Sequence, residues 1–243
     1  MMIIYLLGIV LASLAGGAIP LFFRNIHKSL SVYLLAFTGA FLFGITIIHL
    51  MPETFEALGR EAGIYVVAGF FIQVFLQQLS HGLEHGHSHV AGAHGGHVAI
   101  SGLLTGLSVH AFMEGIPLGF HFRDPATLPA LALGVLAHKL PEALTLMTVL
   151  VHTSSRRKKN AALLLLFTAM TPLAALFAHV LGTSFAAVSQ VLLYIVALVI
   201  GAFLHISTTI FFESGTRQHE LNRGKAISMI IGLLLACATL LLE

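Results

Sequence analysis

Long uninterrupted runs of apolar residues constrain this chain more than any other feature of its sequence. Each run is close to the ~20 residues that an α-helix needs to cross the hydrocarbon core of a bilayer. Only 9% of the 243 residues are charged and 57% are hydrophobic, whereas soluble domains have about 25% charged residues. The sequence therefore predicts an all-α integral membrane protein whose surface contacts the lipid bilayer.

The apolar runs predict eight transmembrane helices in a single membrane domain that covers residues 1–243. The first run is interpreted as a retained span, because no lysine or arginine precedes it and because it is longer than the apolar region of a signal peptide. The polar stretches 53–61 and 121–127 are expected to be turns. The expected spans are at about 2–23, 31–51, 62–80, 98–120, 128–151, 161–182, 187–212 and 226–242.

The distribution of basic residues predicts how these spans are oriented. Eight spans place both termini on one side, and the first, third, fifth and seventh loops on the other. Those four loops hold nine of the twelve lysines and arginines, while the side with the termini holds only Arg60 and Arg123. The basic side is cytoplasmic by the positive-inside rule, so both termini are expected outside. The nine are Arg24, Lys28, Arg156, Arg157, Lys158, Lys159, Arg217, Arg223 and Lys225.

Two expected spans each hold a histidine and a glutamate four residues apart. His110 and Glu114 lie in HAFMEG, and His138 and Glu142 lie in HKLPEA. Residues at i and i+4 share one face of a helix. Ionisable groups inside a membrane are costly and usually functional, and two facing carboxylates repel unless a cation or proton lies between them. The four residues therefore predict a divalent-metal site; the alternative is a hydrogen bond within each helix that pairs the two polar groups.

A third pair with the same spacing, His49 and Glu53 in HLMPE, lies at the end of the second span. Prolines, Pro52 and Pro141, precede Glu53 and the glutamate of HKLPEA. A proline removes one backbone donor and frees a carbonyl one turn earlier, which suits a place where an ion exchanges ligands. Because the expected topology puts His49 and Glu53 near the outer face, we expect them to line an access path rather than to bind the ion centrally.

The segment 81–97 is rich in histidine and glycine and has no apolar periodicity. Neutral imidazoles bind Zn²⁺ and related divalent ions. The segment is expected on the cytoplasmic side, where it would act as a weak metal acceptor or sensor; the alternative is a disordered linker. Its histidines are His81, His85, His87, His89, His94 and His97.

These motifs together resemble those of the ZIP family of divalent metal transporters, in the short form of its bacterial members. HLMPE is similar to the family's HLxPE in span two, HAFMEG to HNxPEG in span four, and HKLPEA to HExPEG or HExPHE in span five. The eight spans, the outer termini and the histidine-rich loop extend the resemblance over the whole chain. It implies that His110, Glu114, His138 and Glu142 are the ligands of the principal metal position.

Two residues beside the expected ligands depart from the family pattern. Ala111 stands where the family has asparagine, and Lys139 stands where it has an acidic or polar residue. In members with two metal positions, these places serve the second metal. We therefore expect one ion per site, with the ammonium of Lys139 in place of the second cation; the alternative is that Lys139 extends to a membrane interface.

The resemblance further implies that a homodimer moves a divalent transition metal into the cytoplasm by an elevator-type motion. Spans one, four, five and six would carry the site past spans two, three, seven and eight. Two imidazoles and two carboxylates do not select strongly among such ions. Zn²⁺ is the expected cargo, with Fe²⁺, Mn²⁺ and Cd²⁺ as alternatives, and the expected location is the inner (plasma) membrane.

Two other functions fit parts of the sequence. An intramembrane metalloenzyme would also need a buried metal, but the H-E-x-x-H pattern of hydrolytic zinc sites is absent. A cation-diffusion-type exporter has a histidine-rich loop as well, but commonly has six spans and aspartate-rich sites. We therefore expect a transporter and no enzyme, and the net charge of +2 gives no indication of a nucleic-acid partner.

Overall fold

The computed structural model describes residues 1–22, 28–80, 100–154, 156–213 and 222–242. All regular secondary structure in these ranges is helical. Apolar side chains fill the core, and many of the exposed side chains are apolar too, including those of Ile4, Phe75 and Leu234. An outer surface of this kind is expected of helices that face lipid.

The helices follow the apolar runs of the sequence and extend a few residues beyond most of them. They are α1 (Met2–Phe22), α2 (Lys28–Ile45), α3 (Met51–Leu58), α4 (Glu61–Ser80), α5 (Ile100–Leu118), α6 (Thr127–Thr153), α7 (Arg157–Ser184), α8 (Ala186–Glu213) and α9 (Arg223–Ala238), with a π-helical turn at Thr46–Leu50 and a 3₁₀ turn at Thr239–Leu242.

Six helical segments of the described chain are long and apolar enough to cross a membrane. The helices α4 and α5, of 20 and 19 residues, are not among them. Polar side chains explain the lower hydropathy of α5, which holds His110 and Glu114. The six are Met2–Phe22, Val32–Leu58, Thr127–Thr153, Arg157–Ser184, Val188–Phe211 and Arg223–Leu241. The chain is therefore a multi-pass membrane protein built as a helix bundle.

The second span differs from its expected form. The stretch 53–61, predicted to be a turn, is helical as far as Leu58, and the chain turns only at Gly59, whose φ is +61°. Before it, the backbone N–H of Met51 donates to the carbonyl of Thr46, a π-helical bond. This irregularity directly precedes Pro52, which cannot donate a hydrogen bond and whose ring crowds the preceding turn.

The helices pack most extensively in four pairs, which are α1 with α6, α5 with α7, α2 with α9 and α4 with α8. Further contacts join these pairs, including those of α2 with α6 and of α4 with α5. Following the family resemblance, the first two pairs are here named the first group and the last two the second group. Glycines allow close backbone approach within each group: a Cβ atom on Gly16 would overlap the carbonyl of Leu140, and one on Gly69 that of Leu198. Between the groups, a Cβ on Gly134 would have ordinary van der Waals room, 3.4 Å, toward α2.

One end of the bundle, here named the Met2 end, gathers several connecting segments. The loop 119–126 between α5 and α6 is fixed there by Glu53, which accepts hydrogen bonds from the backbone N–H of Arg123 and from the hydroxyl of Thr127. A cavity at this end is lined by Met2 together with residues of the same loop. The Met2 end is therefore the end that the sequence predicts to lie outside.

Candidate metal centre

The first helix group brings the two histidine–glutamate pairs together in its interior. His110 and Glu114 lie on α5, and His138 and Glu142 lie on α6. Each of the four residues is only 1% exposed. The imidazole rings of His110 and His138 meet edge to face, with centroids 6.0 Å apart. The structure thus places all four expected site residues at one buried interface between α5 and α6.

Three of these side chains form a compact group of metal-binding atoms. One ring nitrogen each from His110 and His138 and one carboxylate oxygen from Glu142 lie within 4.8 Å of one another. Two imidazoles and one carboxylate are a ligand set of zinc sites that leave a fourth position open. An open position is what a site needs when its ion must enter and leave.

Glu114 is not part of this group of three and has a different set of partners. Its Oε1 forms an ion pair with Nζ of Lys139 and accepts a hydrogen bond from the hydroxyl of Thr171 at 2.9 Å. Its Oε2 lies 3.6 Å from Nε2 of His110. Glu114 therefore faces the metal-binding group with one oxygen and Lys139 with the other.

Lys139 lies between the two carboxylates. Its Nζ donates to Oε2 of Glu142 at 2.9 Å and lies 4.4 Å from the ring centroid of Phe167. The residue is 0% exposed, so its ammonium does not extend to a membrane interface. A buried ammonium is tolerated when carboxylates and an aromatic face compensate for lost hydration. The second oxygen of Glu142 lies 3.8 Å from Nε2 of His110, so each carboxylate presents one oxygen to Lys139 and one to the histidines.

Polar atoms without a hydrogen-bond partner are concentrated at this point. Buried polar atoms in proteins are nearly always paired, so a cluster of unpaired nitrogen and oxygen atoms offers ligands to a cation. The alternative of a hydrogen bond within each helix does not describe His110, whose nitrogens are both unpaired. Within the described residues, the unpaired atoms of the cluster are His110 Nδ1 and Nε2, His138 Nδ1 and Nε2, Glu114 Oε2 and Glu142 Oε1.

His49 and Glu53 lie apart from the central group, toward the Met2 end. His49 is in the π-helical turn and 3% exposed, and its Nε2 is 2.8 Å from the hydroxyl of Thr239. Glu53 fixes the loop that precedes α6 through its bonds to Arg123 and Thr127. Glu53 thus has a structural task whether or not an ion passes, and a part of either residue in an access path stays a prediction.

Two other predictions concern residues near or beyond the centre. Ala111 is buried on α5, and its carbonyl accepts a hydrogen bond from Thr171 at 3.1 Å. The residues predicted as a cytoplasmic metal acceptor lie outside the described part of the chain. They are His81, His85, His87, His89, His94 and His97.

Sequence reasoning missed the contribution of α7. Thr171 bonds to Glu114, and Phe167 faces Lys139, one turn apart on the same helix. Close approach of α5 and α7 makes these contacts, because a Cβ atom on Gly115 would overlap the carbonyl of Thr171. A threonine four residues after a phenylalanine is common in helices, so only the neighbouring helix reveals their role.

Comparisons with known proteins relate the chain to a family of transporters. A family model described as "ZIP Zinc transporter" matches residues 84–242, well over half of the chain and the part that contains α5 to α9. A protein named "Zinc transporter ZIP9" from Micropogonias undulatus is 29% identical over a stretch that covers 75% of this chain and 63% of the relative. The chain thus spans less than two thirds of the length of that relative.

Proposed function

The chain belongs to the ZIP zinc transporter family, and from this premise we propose that it carries divalent transition-metal ions across a membrane through the centre between α5 and α6. The ion binds to His110, His138 and Glu142. Glu114 and Lys139 complete the charge balance beside it. The observation that carries the proposal is the set of buried, unpaired nitrogen and oxygen atoms that converge at this one point.

Zn²⁺ is the proposed principal cargo. The matching family model and the ZIP9 relative both have zinc transport in their names. Two imidazole nitrogens and a carboxylate oxygen are borderline ligands that Zn²⁺ accepts in tetrahedral geometry. The same ligands also accept Fe²⁺, Mn²⁺ and Cd²⁺, which we propose as further cargo.

One ion occupies the centre at a time, because Lys139 takes the place of a second cation. Its ammonium binds one oxygen of each glutamate and supplies one positive charge against their two negative charges. The remaining oxygens and the neutral imidazoles then carry one net negative charge toward a single divalent ion. This lower charge weakens the attraction for the ion relative to two unpaired carboxylates, so that the ion can be released as transport requires.

The family resemblance supports an elevator-type motion of the whole centre. The ligands, Lys139, Thr171 and Phe167 all lie in the first helix group, and the glycines whose Cβ atom would overlap a carbonyl face a helix of their own group. We propose that this group moves past the second one. We also propose that α4 and α5 are spans, so that the chain crosses the membrane eight times and both termini lie outside. We further propose that the protein is a homodimer in the plasma membrane and that it moves the ion into the cytoplasm.

Family membership argues against the two other functions considered. ZIP family zinc transporters are transporters and not enzymes, which disfavours an intramembrane metalloenzyme. The cation-diffusion type of exporter belongs to a different family. The proposal therefore concerns metal flux alone.

Uptake of Zn²⁺ into proteoliposomes tests the proposal. We expect His138→Ala and Glu142→Gln each to lower the initial rate roughly tenfold or more, because each removes one of three ligands. His152→Ala is the matched control on the same helix, since His152 is exposed and bonds only to the Thr148 carbonyl of its own helix. Glu56→Gln, at an exposed glutamate, is the second control. Uptake by either ligand variant at the control rate would contradict the proposal.

A further inference from the structure

A second group of polar side chains surrounds a cavity of about 280 Å³ at the Met2 end. The loop 119–126 and the last turns of α7 form its walls. His121, Asp124 and His179 are the side chains of this lining that can bind a metal, and Phe120 and Phe122 give it an apolar border. The proposed transport centre does not use any of these five residues.

The two histidines of the cavity are arranged as a pair. The rings of His121 and His179 are stacked, with centroids 5.2 Å apart and an interplanar angle of 28°. Two imidazoles that share one tetrahedral Zn²⁺, with Zn–N bonds of about 2.1 Å, have ring centres roughly 5 Å apart. The centroid distance of the pair equals this value, and rotation of the stacked rings would turn one nitrogen of each toward a shared ion.

The pair lies on the two segments that also build the central site. His121 follows Glu114 by seven residues, and His179 follows Thr171, the partner of Glu114, by eight. At 1.5 Å per helical residue, His179 is about 12 Å nearer to the Met2 end than Thr171, and His121 meets it there. Gly119 allows this meeting, because a Cβ atom there would overlap the carbonyl of Ala175 on α7.

Asp124 connects the cavity with the interior. Its side chain is 35% exposed, and its Oδ2 lies 3.9 Å from Nδ1 of His49. That nitrogen is buried and has no hydrogen-bond partner within the described residues. A carboxylate that borders the cavity and lies near a buried, unpaired imidazole nitrogen is well placed to pass a cation inward.

We propose that His121, His179 and Asp124 form a transient capture site for divalent transition metals at the mouth of the transport path, which delivers the ion to His49. The inference rests on the proposed transport function. Among the described residues, the group of three possible ligand atoms that lie within 4.8 Å of one another is that of the central site. The possible ligand atoms of the capture site lie farther apart. The capture site therefore closes around an ion by side-chain rotation, and such a site also releases it readily.

Chemical labelling tests metal binding at the mouth independently of transport. In the purified protein with Cys237→Ser, His121→Cys introduces a thiol that can still bind Zn²⁺. We expect Zn²⁺ to slow the reaction of this thiol with a membrane-impermeant maleimide, and His179→Ala to raise the Zn²⁺ concentration needed for protection roughly tenfold. Arg123→Cys, at a neighbouring exposed side chain, is the control that Zn²⁺ should not protect.

Uptake kinetics test whether the capture site serves transport. The double variant His121→Ala/His179→Ala should raise the KM for Zn²⁺ several-fold while kcat stays near the wild-type value, because only the collection of dilute ions is impaired. His152→Ala should change neither constant. A change in kcat alone, or no change in KM, would overturn the capture role.

The two experiments separate this inference from the proposed function. Protection of the thiol at residue 121 should persist when Glu142→Gln removes transport, because capture precedes the central site. If Zn²⁺ protects the thiol equally well with and without His179→Ala, the inference is overturned, but the proposed transport centre is not affected. Absence of uptake by the wild-type protein would overturn the proposed function instead.

Discussion

The spacing of Glu114 and Glu142 suggests two carboxylates that are both free to bind an ion. Lys139 changes this picture, because it binds both of them. Its ammonium binds Oε1 of Glu114 and Oε2 of Glu142, so that only one oxygen of each carboxylate faces the histidines. This single cation both neutralises and orients the acidic groups. We therefore propose that Lys139 positions the ligands in addition to replacing a second ion.

Replacement of Lys139 by methionine tests this role. Lys139→Met leaves two buried carboxylates without their cation, which should cost about 3–5 kcal/mol of stability when a chelator is present. Zn²⁺ should restore more stability to this variant than it adds to the wild type, since the ion then balances both carboxylates. Thermal unfolding in detergent, with chelator and with Zn²⁺, measures both effects.

The exposed lysine Lys158 provides the control for this substitution, since Lys158→Met removes the same charge at the surface of α7. The control should unfold like the wild type in both conditions. A Lys139→Met protein that is as stable as the wild type in chelator would show that the ammonium is not needed to balance the carboxylates.

At the level of single residues, the sequence predicted which side chains lie together but not which hydrogen bonds and ion pairs each of them forms. The i, i+4 spacing predicted that His110 shares a helix face with Glu114, and His138 with Glu142. The expected metal site further required these two faces to meet. The pairing of Glu114 with Lys139 and Thr171 depends on the distance between three helices and on side-chain rotamers. Neither quantity can be read from residue types along one helix.

At the scale of helices, close packing of α5 against α7 holds the centre in shape. Gly115 lies one residue after Glu114, and a Cβ atom there would overlap the carbonyl of Thr171 and lie 2.9 Å from the Cβ of Ala174. Helix separation at this point would break the hydrogen bond from Thr171 to Glu114. The glycine is therefore a structural requirement of the site.

Substitution of Gly115 by alanine should destabilise the protein by about 1–3 kcal/mol, because backbone atoms of α7 must shift. Gly63→Ala is the matched control, since no atom lies within 4 Å of a Cβ atom built on Gly63 in α4. This second change should stabilise the protein by about 0.5–1 kcal/mol, since alanine loses less backbone entropy in a helix. Thermal unfolding measures the sign and size of both changes in stability. Equal changes in the two variants would contradict the close packing at Gly115.

The elements themselves were predicted well where apolar runs are long and poorly where a polar sequence continues a helix. The expected turn at 53–61 forms the helix α3 up to Leu58, and Glu53 in its first turn bonds across to Thr127 at the start of α6. The π-helical turn that contains His49 was foreshadowed by Pro52. The turn ends at Leu50, two residues before the proline, and its backbone hydrogen bond runs from the N–H of Met51 to the carbonyl of Thr46.

At the scale of the whole molecule, the closest backbone approaches at glycines lie within four helix pairs, and these pairs contact one another on several sides. The resemblance predicts two groups, since spans one, four, five and six correspond to α1, α5, α6 and α7. This division stays a prediction, because contacts such as those of α2 with α6 join the two groups. Composition and periodicity could not have assigned helices to groups, because apolar helix faces pack equally well against several neighbours.

A cross-link between the groups tests whether they move relative to each other. A Cβ atom on Gly134 of α6 would lie 3.9 Å from the Cβ of Ile45 in α2, which suits a disulfide. Oxidation of Gly134→Cys/Ile45→Cys should stop Zn²⁺ uptake, and reduction should restore it. In the controls, the single variants Gly134→Cys and Ile45→Cys, this cross-link cannot form, and oxidation should leave uptake intact. Full uptake by the oxidised Gly134–Ile45 pair would exclude the elevator-type motion.

We propose that one transported ion binds between α5 and α6, beside a lysine that takes the place of a second ion. Anomalous X-ray scattering at the zinc edge from crystals grown with Zn²⁺ tests it most directly. We predict a single zinc peak in the centre, about 2.0–2.2 Å from a nitrogen of His110, a nitrogen of His138 and an oxygen of Glu142, with Lys139 still between the carboxylates. Two zinc peaks in the wild-type centre, or a zinc peak bound by none of these three residues, would contradict the account.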